Sequence, residues 1–531
     1  MKTNSIKIYS LLLIIIFAAA SCTKDFKDIN TNPVAYGPTN FDPNYTLTTA
    51  QLNYTGSIDF AYDTWRGNLI YSGTMMQGLS SVISYWAGDK YLLNEGYTAA
   101  YWGNNAVGAY IEQVRPIVDV VEFTKGKTKY TNLRQVARIW KALVFERLTD
   151  LYGDVPYSEA GLGFYTGVLN PKYDKQQAIY SDLLKEVEEA TAALGTGGDA
   201  VTGDALYQGD IPKWKRFGNT LLLRIAMRLT KIDENTAKAF AQKAIANTMT
   251  SNADNAFVKH DVAGSRVTQN RNSQVLLGDG GQENYYVKWS KTFIDLLKTS
   301  GDPRLGKVAV TKLYLNESSK DQNTAFDANP AVQKGMPNGK DLSGIAGRDV
   351  RQDASYTTFP DYSSPNPGMT KRDGLTFILT YAESELLIAE AAQRWAIGGS
   401  AATHYANGVK AAITYLGQYD ASLAISDATA DLFVTAHPYV ALTGLQQINT
   451  QYWLHANTML DFYETWSNWR RSGFPVLTPV VYPGNATNGT IPRRFPYPLD
   501  EAAKNGANYK AASSAVPGGD NLAGRVWWDK Q

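Results

Sequence analysis

A chain of 531 residues is several times the size of a common domain, so one large core or several smaller ones can form. Its 51 Lys+Arg against 50 Asp+Glu leave a formal charge of +1, without the basic excess of a general nucleic-acid binder, and 19% charged residues are too few for a disordered tail protein. A single cysteine excludes a disulfide framework, a thiolate zinc site and an iron–sulfur cluster, while 33 Tyr and 12 Trp beside 18 Phe supply rings with a polar handle, suited to half-wet surfaces.

At the N-terminus, Lys2 and Lys7 precede an unbroken apolar run from Leu11 to Ala20. That run is short of the roughly 20 residues that span a bilayer, but it suits the core of a signal peptide. It leads through Ala19, Ala20 and Ser21 into Cys22, the only cysteine. The pattern predicts a lipobox: lipid joins the Cys22 thiol, cleavage follows Ser21, and the mature chain is anchored to a membrane without crossing it. A plain secretory signal with a cysteine near its cleavage site is the alternative. Removing residues 1–21 leaves 49 basic against 50 acidic side chains. Thr23 to Asn40 is polar and holds Asn32-Pro33 and Gly37-Pro38, which reads as a tether. The expected organisation is a signal over 1–21, a lipidated tether over 22–40 and a folded body over 41–531.

Within the body, periodicity predicts helices almost throughout. Leu133, Val136, Trp140, Leu143, Val144, Leu148 and Leu151 recur at helical steps and stop at Gly153 and Pro156. Ile179, Leu183, Val187, Ala190 and Leu194 mark a second helix, broken at Gly195. Trp214 to Leu229 marks a third, followed by Ala237, Phe240, Ala244 and Ile245. A further pair is predicted over Leu375–Trp395 and Ala402–Leu416, split by Gly398-Gly399. Alanines along these stripes allow close helix approach, as stacked helix–turn–helix repeats require. The fold class expected is mainly α: a tetratricopeptide-like scaffold of about four helix pairs, with a loop-rich lobe packed on it. The polar segments 252–287 and 311–372, and the proline-rich 474–498, are long enough to be functional loops.

The usual catalytic patterns are missing. His260, His404, His437 and His455 do not form a zinc-hydrolase helix, and there is no nucleophile elbow. Gly301 to Lys307 has the spacing of a phosphate loop, but Val308 stands where a Ser or Thr hydroxyl is needed, and Pro303 interrupts it. The carboxylates Glu383/Glu385 and Glu186/Glu188/Glu189 read as solvated helix faces rather than a glycosidase pair.

Aromatic clusters are the positive signal. Tyr85, Trp86, Tyr91, Tyr97, Tyr101 and Trp102 are interleaved with Asp89, Asn94 and Asn104/Asn105; Tyr285 and Tyr286 follow Asn284, with Trp289 close by. Trp65 stands beside Arg66, and Trp466/Trp469 stand beside Arg470/Arg471. A ring next to an amide, carboxylate or guanidinium offers a flat apolar face and hydrogen-bond partners together, which suits a sugar ring. Core packing is the plainer reading, and it weighs most for Trp102, Trp289, Trp466 and Trp469 on helix-like stretches. The candidate ligand residues are Tyr85, Trp86, Tyr91, Asn94, Tyr285 and Tyr286, with Cys22 for lipid.

Several segments resemble the SusD/RagB family of outer-membrane lipoproteins. They are the lipobox with Asp28–Pro33, Leu151–Pro156 closing a helix, Gly301–Leu305, the Tyr381–Trp395 helix, and the endings Trp469–Pro475 and Arg493–Leu499. The resemblance, closest to the SusD-like subgroup, implies four tetratricopeptide-like pairs, exposure at the cell surface, and capture of oligosaccharides for a SusC-type TonB-dependent transporter. It also implies a ligand site in the regions of Tyr85, Trp86 and Tyr91 and of Tyr285 and Tyr286, and a structural turn at Asp302–Arg304. The implied partners are the transporter, an oligosaccharide and outer-membrane lipid through Cys22; no nucleic acid is expected. No enzymatic activity and no cofactor are expected, with a structural calcium ion left open. Peptide capture of the RagB kind, a surface glycosidase and a lid without a ligand of its own are the alternatives.

Overall fold

Local capping signals set the ends of several predicted helices. The computed structural model describes residues 41–58, 60, 62–103 and 107–530; Cys22 and the tether lie outside the described residues. The scaffold helices are α1 (Arg115–Thr124), α2 (Thr131–Tyr152), α3 (Gln176–Ala193), α4 (Ile211–Arg228), α5 (Glu234–Ala244), α6 (Tyr381–Trp395), α7 (Ala401–Thr414), α8 (Gly444–Thr458) and α9 (Phe462–Ser472). Asp210 caps α4 by accepting from the Lys213 amide at 3.0 Å, with Pro212 in the first turn, where its missing N–H costs nothing. Asp461 caps α9 in the same way through the Glu464 amide. Gly153 ends α2 at φ 86°, as the Tyr152-Gly153 break predicts.

Successive helices from α1 to α5 pack side by side, as do α6 with α7 and α8 with α9, while α6 leans on both α4 and α8. The helix-pair scaffold expected from the sequence is the fold found. Residues Asn44–Gln531 form one compact unit. Among the described residues, no helix is long and apolar enough to cross a membrane.

One predicted helix start is corrected. Leu375–Leu379 is a strand, and α6 begins only after Thr380, whose side chain accepts from the Glu383 amide. A short apolar run with branched and aromatic members fits a strand or a helix equally well by period. Pairing with Ala256–Lys259 decides it. In chain order the strands are β1 (Leu79–Ser81), β2 (Val155–Pro156), β3 (Tyr173–Asp174), β4 (Ala256–Lys259), β5 (Val287–Trp289), β6 (Ala309–Val310), β7 (Ser364–Pro365) and β8 (Leu375–Leu379). They form the antiparallel pairs β1–β5, β2–β3, β4–β8 and β6–β7.

The centre of the scaffold is ionic. Arg224 Nε meets Glu383 Oε1 at 2.5 Å, and Arg228 reaches Glu464 at 2.7 Å and Asp150 at 3.1 Å. The Tyr452 hydroxyl bridges two carboxylates, 2.6 Å from Glu383 and 2.8 Å from Glu464. Arg471 grips Glu390 with two nitrogens at 2.6 and 2.7 Å. These bonds tie α2, α4, α6, α8 and α9 together. Glu383 and Glu385, expected on a solvated face, are both buried, because the guanidinium that neutralises Glu383, that of Arg224, comes from α4, far away in sequence. Burial pushes the Glu146 carboxyl up to about 8, although Arg224 and Arg228 pull it down. The Gly301–Lys307 near-match to a phosphate loop is a buried turn in which Arg304 pairs with Asp302 at 2.6 Å and donates to Gln451 on α8 at 2.7 Å.

Candidate functional site

The two aromatic segments singled out in the sequence lie about 200 residues apart, and a strand pair joins them. β1 runs antiparallel to β5 with Leu79 opposite Trp289, Ser80 opposite Lys288 and Ser81 opposite Val287. The chain leaves β1 toward Tyr85 and enters β5 from the turn Glu283–Tyr286, so Tyr85 meets Glu283. Its hydroxyl donates to Glu283 Oε1 at 2.6 Å. Burial and that carboxylate hold the phenol far above its ordinary range.

The other predicted residues have varied placements. Trp86 is fully buried ahead of the turn Ala87–Lys90. Tyr91 is also fully buried, at φ 54°, with its hydroxyl accepting from the Val480 amide at 3.2 Å and its carbonyl from the Ala486 amide at 2.9 Å. Tyr91 thus braces the 476–486 segment, and neither ring presents a face to solvent. Asn94 caps the one-turn helix Glu95–Thr98 by accepting from the Tyr97 amide at 3.2 Å. Tyr286 is buried against Phe359 (centroids 4.9 Å apart), and burial together with Glu317 pushes its phenol up to about 12. Tyr285 stays half-buried beside it, with centroids 4.8 Å apart. Tyr85 and Tyr285 are therefore the candidate rings that keep a solvent face.

The structure adds rings to Tyr85. A π-helical stretch, Thr64–Gly73, opens with Trp65 and Arg66; such wide turns are rare and recur at functional sites. The Trp65 ring meets Tyr85 edge-on at 6.1 Å and lies nearly parallel to Tyr62, 12° apart with centroids at 6.3 Å. Phe60 closes the group at 5.4 Å from Trp65. The Arg66 guanidinium sits 4.1 Å over Tyr62 and 4.9 Å over Tyr97, and Arg266 sits 4.3 Å over Phe60. Phe60, Tyr62, Trp65, Tyr85 and Tyr97 are all half-buried. Gly280 passes so close to Trp65 that a Cβ there would lie 2.9 Å from the indole; any other residue would push the loop off the ring. Beside the rings, Trp65 Nε1, Arg66 Nε and Glu283 Oε2 are buried without a hydrogen-bond partner. Two donors and an acceptor are left for something else.

This face is held from behind by carboxylates. Asp63 Oδ1 accepts from the amides of Ser57 at 2.6 Å and Thr64 at 2.7 Å. Glu112 accepts from Ile58 at 3.2 Å and Gly108 at 2.8 Å, and Arg271 donates to the Gly56 carbonyl at 3.3 Å. Burial pushes the Asp63 carboxyl up to about 6, with Glu112 adding to the shift and Arg271 opposing it. The pairing of Trp65 with Arg66 was visible in the sequence; Phe60 and Tyr62 belong to no pattern there and join through the fold. Among the described residues, no group of three or more His, Cys, Asp or Glu could hold a metal ion.

Residues 41–498 match a SusD-like family described as starch-binding and associating with the outer membrane. The chain belongs to this SusD-like family. A solved chitin-binding protein is 34% identical over 92% of this chain and 100% of its own, with a TM-score of 0.78. A Bacteroidetes SusD-like protein, AC2a, is 25% identical over 92% and 100% of the two chains, with a TM-score of 0.79. A chitin-binding SusD homolog from Flavobacterium johnsoniae, 22% identical over 92% and 99%, shares the fold at a TM-score of 0.71. A comparison with curated proteins finds no match. Against this SusD-like background, the cluster around Trp65 sets unpaired polar atoms beside half-buried aromatic faces.

Proposed function

We propose that this protein captures a neutral oligosaccharide of the chitin type on the Phe60–Tyr62–Trp65–Tyr85 face. It then passes the glycan, unreacted, to a SusC-type transporter while anchored to the outer membrane through lipid on Cys22. One observation carries the binding reading: near-parallel, half-exposed rings flanked by an indole N–H, a guanidinium N–H and a carboxylate oxygen that lack protein partners. Flat C–H faces of a sugar lie on such rings, and its hydroxyl and acetamido groups meet the polar side chains beside them. The 34% identical relative that binds chitin favours N-acetylated sugars. Proteins of this family associate with the outer membrane, which supports the location.

Titration calorimetry of residues 22–531 with chitin, starch and peptide ligands tests the reading. Chitin oligosaccharides bind, and Trp65→Ala weakens them at least tenfold, the loss of about 1.4 kcal/mol. Unchanged affinity in Trp65→Ala, or binding of peptides alone, overturns it.

A further inference from the structure

Beyond the ring face, a second cleft of about 280 Å³ opens between the 93–95 connection and the C-terminal segment. Its size is near the lower end for small-molecule clefts, roughly 300–1,000 Å³. Leu93 and Leu499 line it at 41% and 57% exposure, and the half-buried Tyr509, from the helix Gly506–Ser514, supplies a ring. Around them stand Glu95, Ser514 and Asp520. Asp520 uses Oδ1 for Arg494 at 2.5 Å and for the Tyr497 amide at 3.0 Å. Its other oxygen, the Glu95 carboxylate and the Tyr509 hydroxyl make no hydrogen bond among the described residues. No Lys, Arg or His lines the cleft.

We propose that this cleft is a second carbohydrate contact, taking one neutral or amino-sugar ring of a polymeric glycan. An aromatic face with apolar walls and oxygen acceptors suits hydroxyl and amine donors, and the unpaired Glu95 carboxylate, beside an Asp520 already held by Arg494, disfavours uronic or sulfated sugars. The one-turn helix Glu95–Thr98 is the wall between the two sites. Tyr97 on that turn lies beneath Arg66 on the ring face, and residues two apart on a helix do not face each other, so Glu95 serves the cleft instead. A chain long enough to cross the turn engages both places, and its second contact is intramolecular. The inference rests on the proposed glycan binding but fails separately from it.

The test compares the disaccharide of N-acetylglucosamine with soluble chitin polymer as ligands for residues 22–531. Tyr509→Ala and the exposed-site variant Leu499→Asn, each checked for an unchanged melting temperature, lower polymer affinity at least tenfold and leave the disaccharide within twofold. Trp65→Ala weakens both ligands. Wild-type polymer affinity in Leu499→Asn and in a folded Tyr509→Ala overturns the second contact and leaves the ring face standing. Binding of neither probe by the wild-type chain overturns the chitin reading, and this inference with it.

Discussion

The helical scaffold and the ring face reverse the usual arrangement in opposite senses. In the scaffold, Arg224, Arg228, Glu146, Asp150, Glu383 and Glu464 are all buried, whereas around Trp65 four large rings keep a solvent face. Buried charges persist only when each meets a partner, and here one residue serves several helices at once. Exposed rings forfeit roughly 25 cal/mol for every Å² of apolar surface left wet. The first departure fixes the position of helices; the second leaves surface for a ligand. Residue type alone does not separate them: Tyr85 and Trp86 are neighbours, one half-exposed and the other sealed.

The largest effect tests the scaffold side. Arg228→Ala strands Glu464 and Asp150 without their nearest guanidinium, so denaturant unfolding shows a loss of about 3–5 kcal/mol. Trp65→Ala in the same experiment shifts stability far less while weakening glycan binding. A loss under about 1 kcal/mol for Arg228→Ala would mean that water reaches the network, as it does at surface pairs, and the contrast would dissolve.

The next effect lies on the border between the two regions, at Asp63. Glu112 and Arg271 face it, and the phenols of Tyr101 and Tyr463 lie near it. Burial raises its carboxyl from the ordinary aspartate range to about 6 in the folded state. The folded state therefore holds the proton more tightly, and stability falls as pH rises from about 4 to about 6, then stays lower. Holding the ionised form in this buried place costs about 3 kcal/mol at neutral pH. Glu146 acts in the same direction up to about 8, so the informative quantity is the difference between wild type and Asp63→Asn. Asp63→Asn keeps an acceptor for the Ser57 and Thr64 amides and removes the charge. Melting temperatures across this window flatten in the variant by the Asp63 share; parallel curves would place Asp63 in contact with water.

Some helix stops of the scaffold were legible from a local signal, such as Gly153 after α2, whereas the starts of α2, α3 and α8 carry no side-chain cap. Leu375–Leu379 was not legible, since the strand it pairs with lies more than 100 residues away. Glu383 looked like surface for the same reason: its partners Arg224 and Tyr452 come from other helices. In the candidate site, the sequence brought out the two segments that β1 and β5 join. It did not show which ring of each turns inward, because that depends on φ values such as Tyr91 at 54° and on what covers the loop. Phe60 and Tyr62 went unnoticed because Asp63, Glu112 and Arg271, which pin their segment, lie far apart in the sequence.

The smallest effect asks whether faces or hydrogen bonds recognise the ligand. Tyr85→Phe keeps the ring that meets Trp65 and removes only the hydroxyl bound to Glu283. Glu283 is fully buried and its second oxygen is already unpaired, so losing this donor costs about 1.5 kcal/mol of stability, typical of a bond to a charged group. Glycan affinity stays within threefold, because the flat face is intact, while Tyr85→Ala lowers it further. If Tyr85→Phe weakened the glycan as strongly as Trp65→Ala does, the hydroxyl and its carboxylate would be reading the sugar, and the exposed faces would be framework after all.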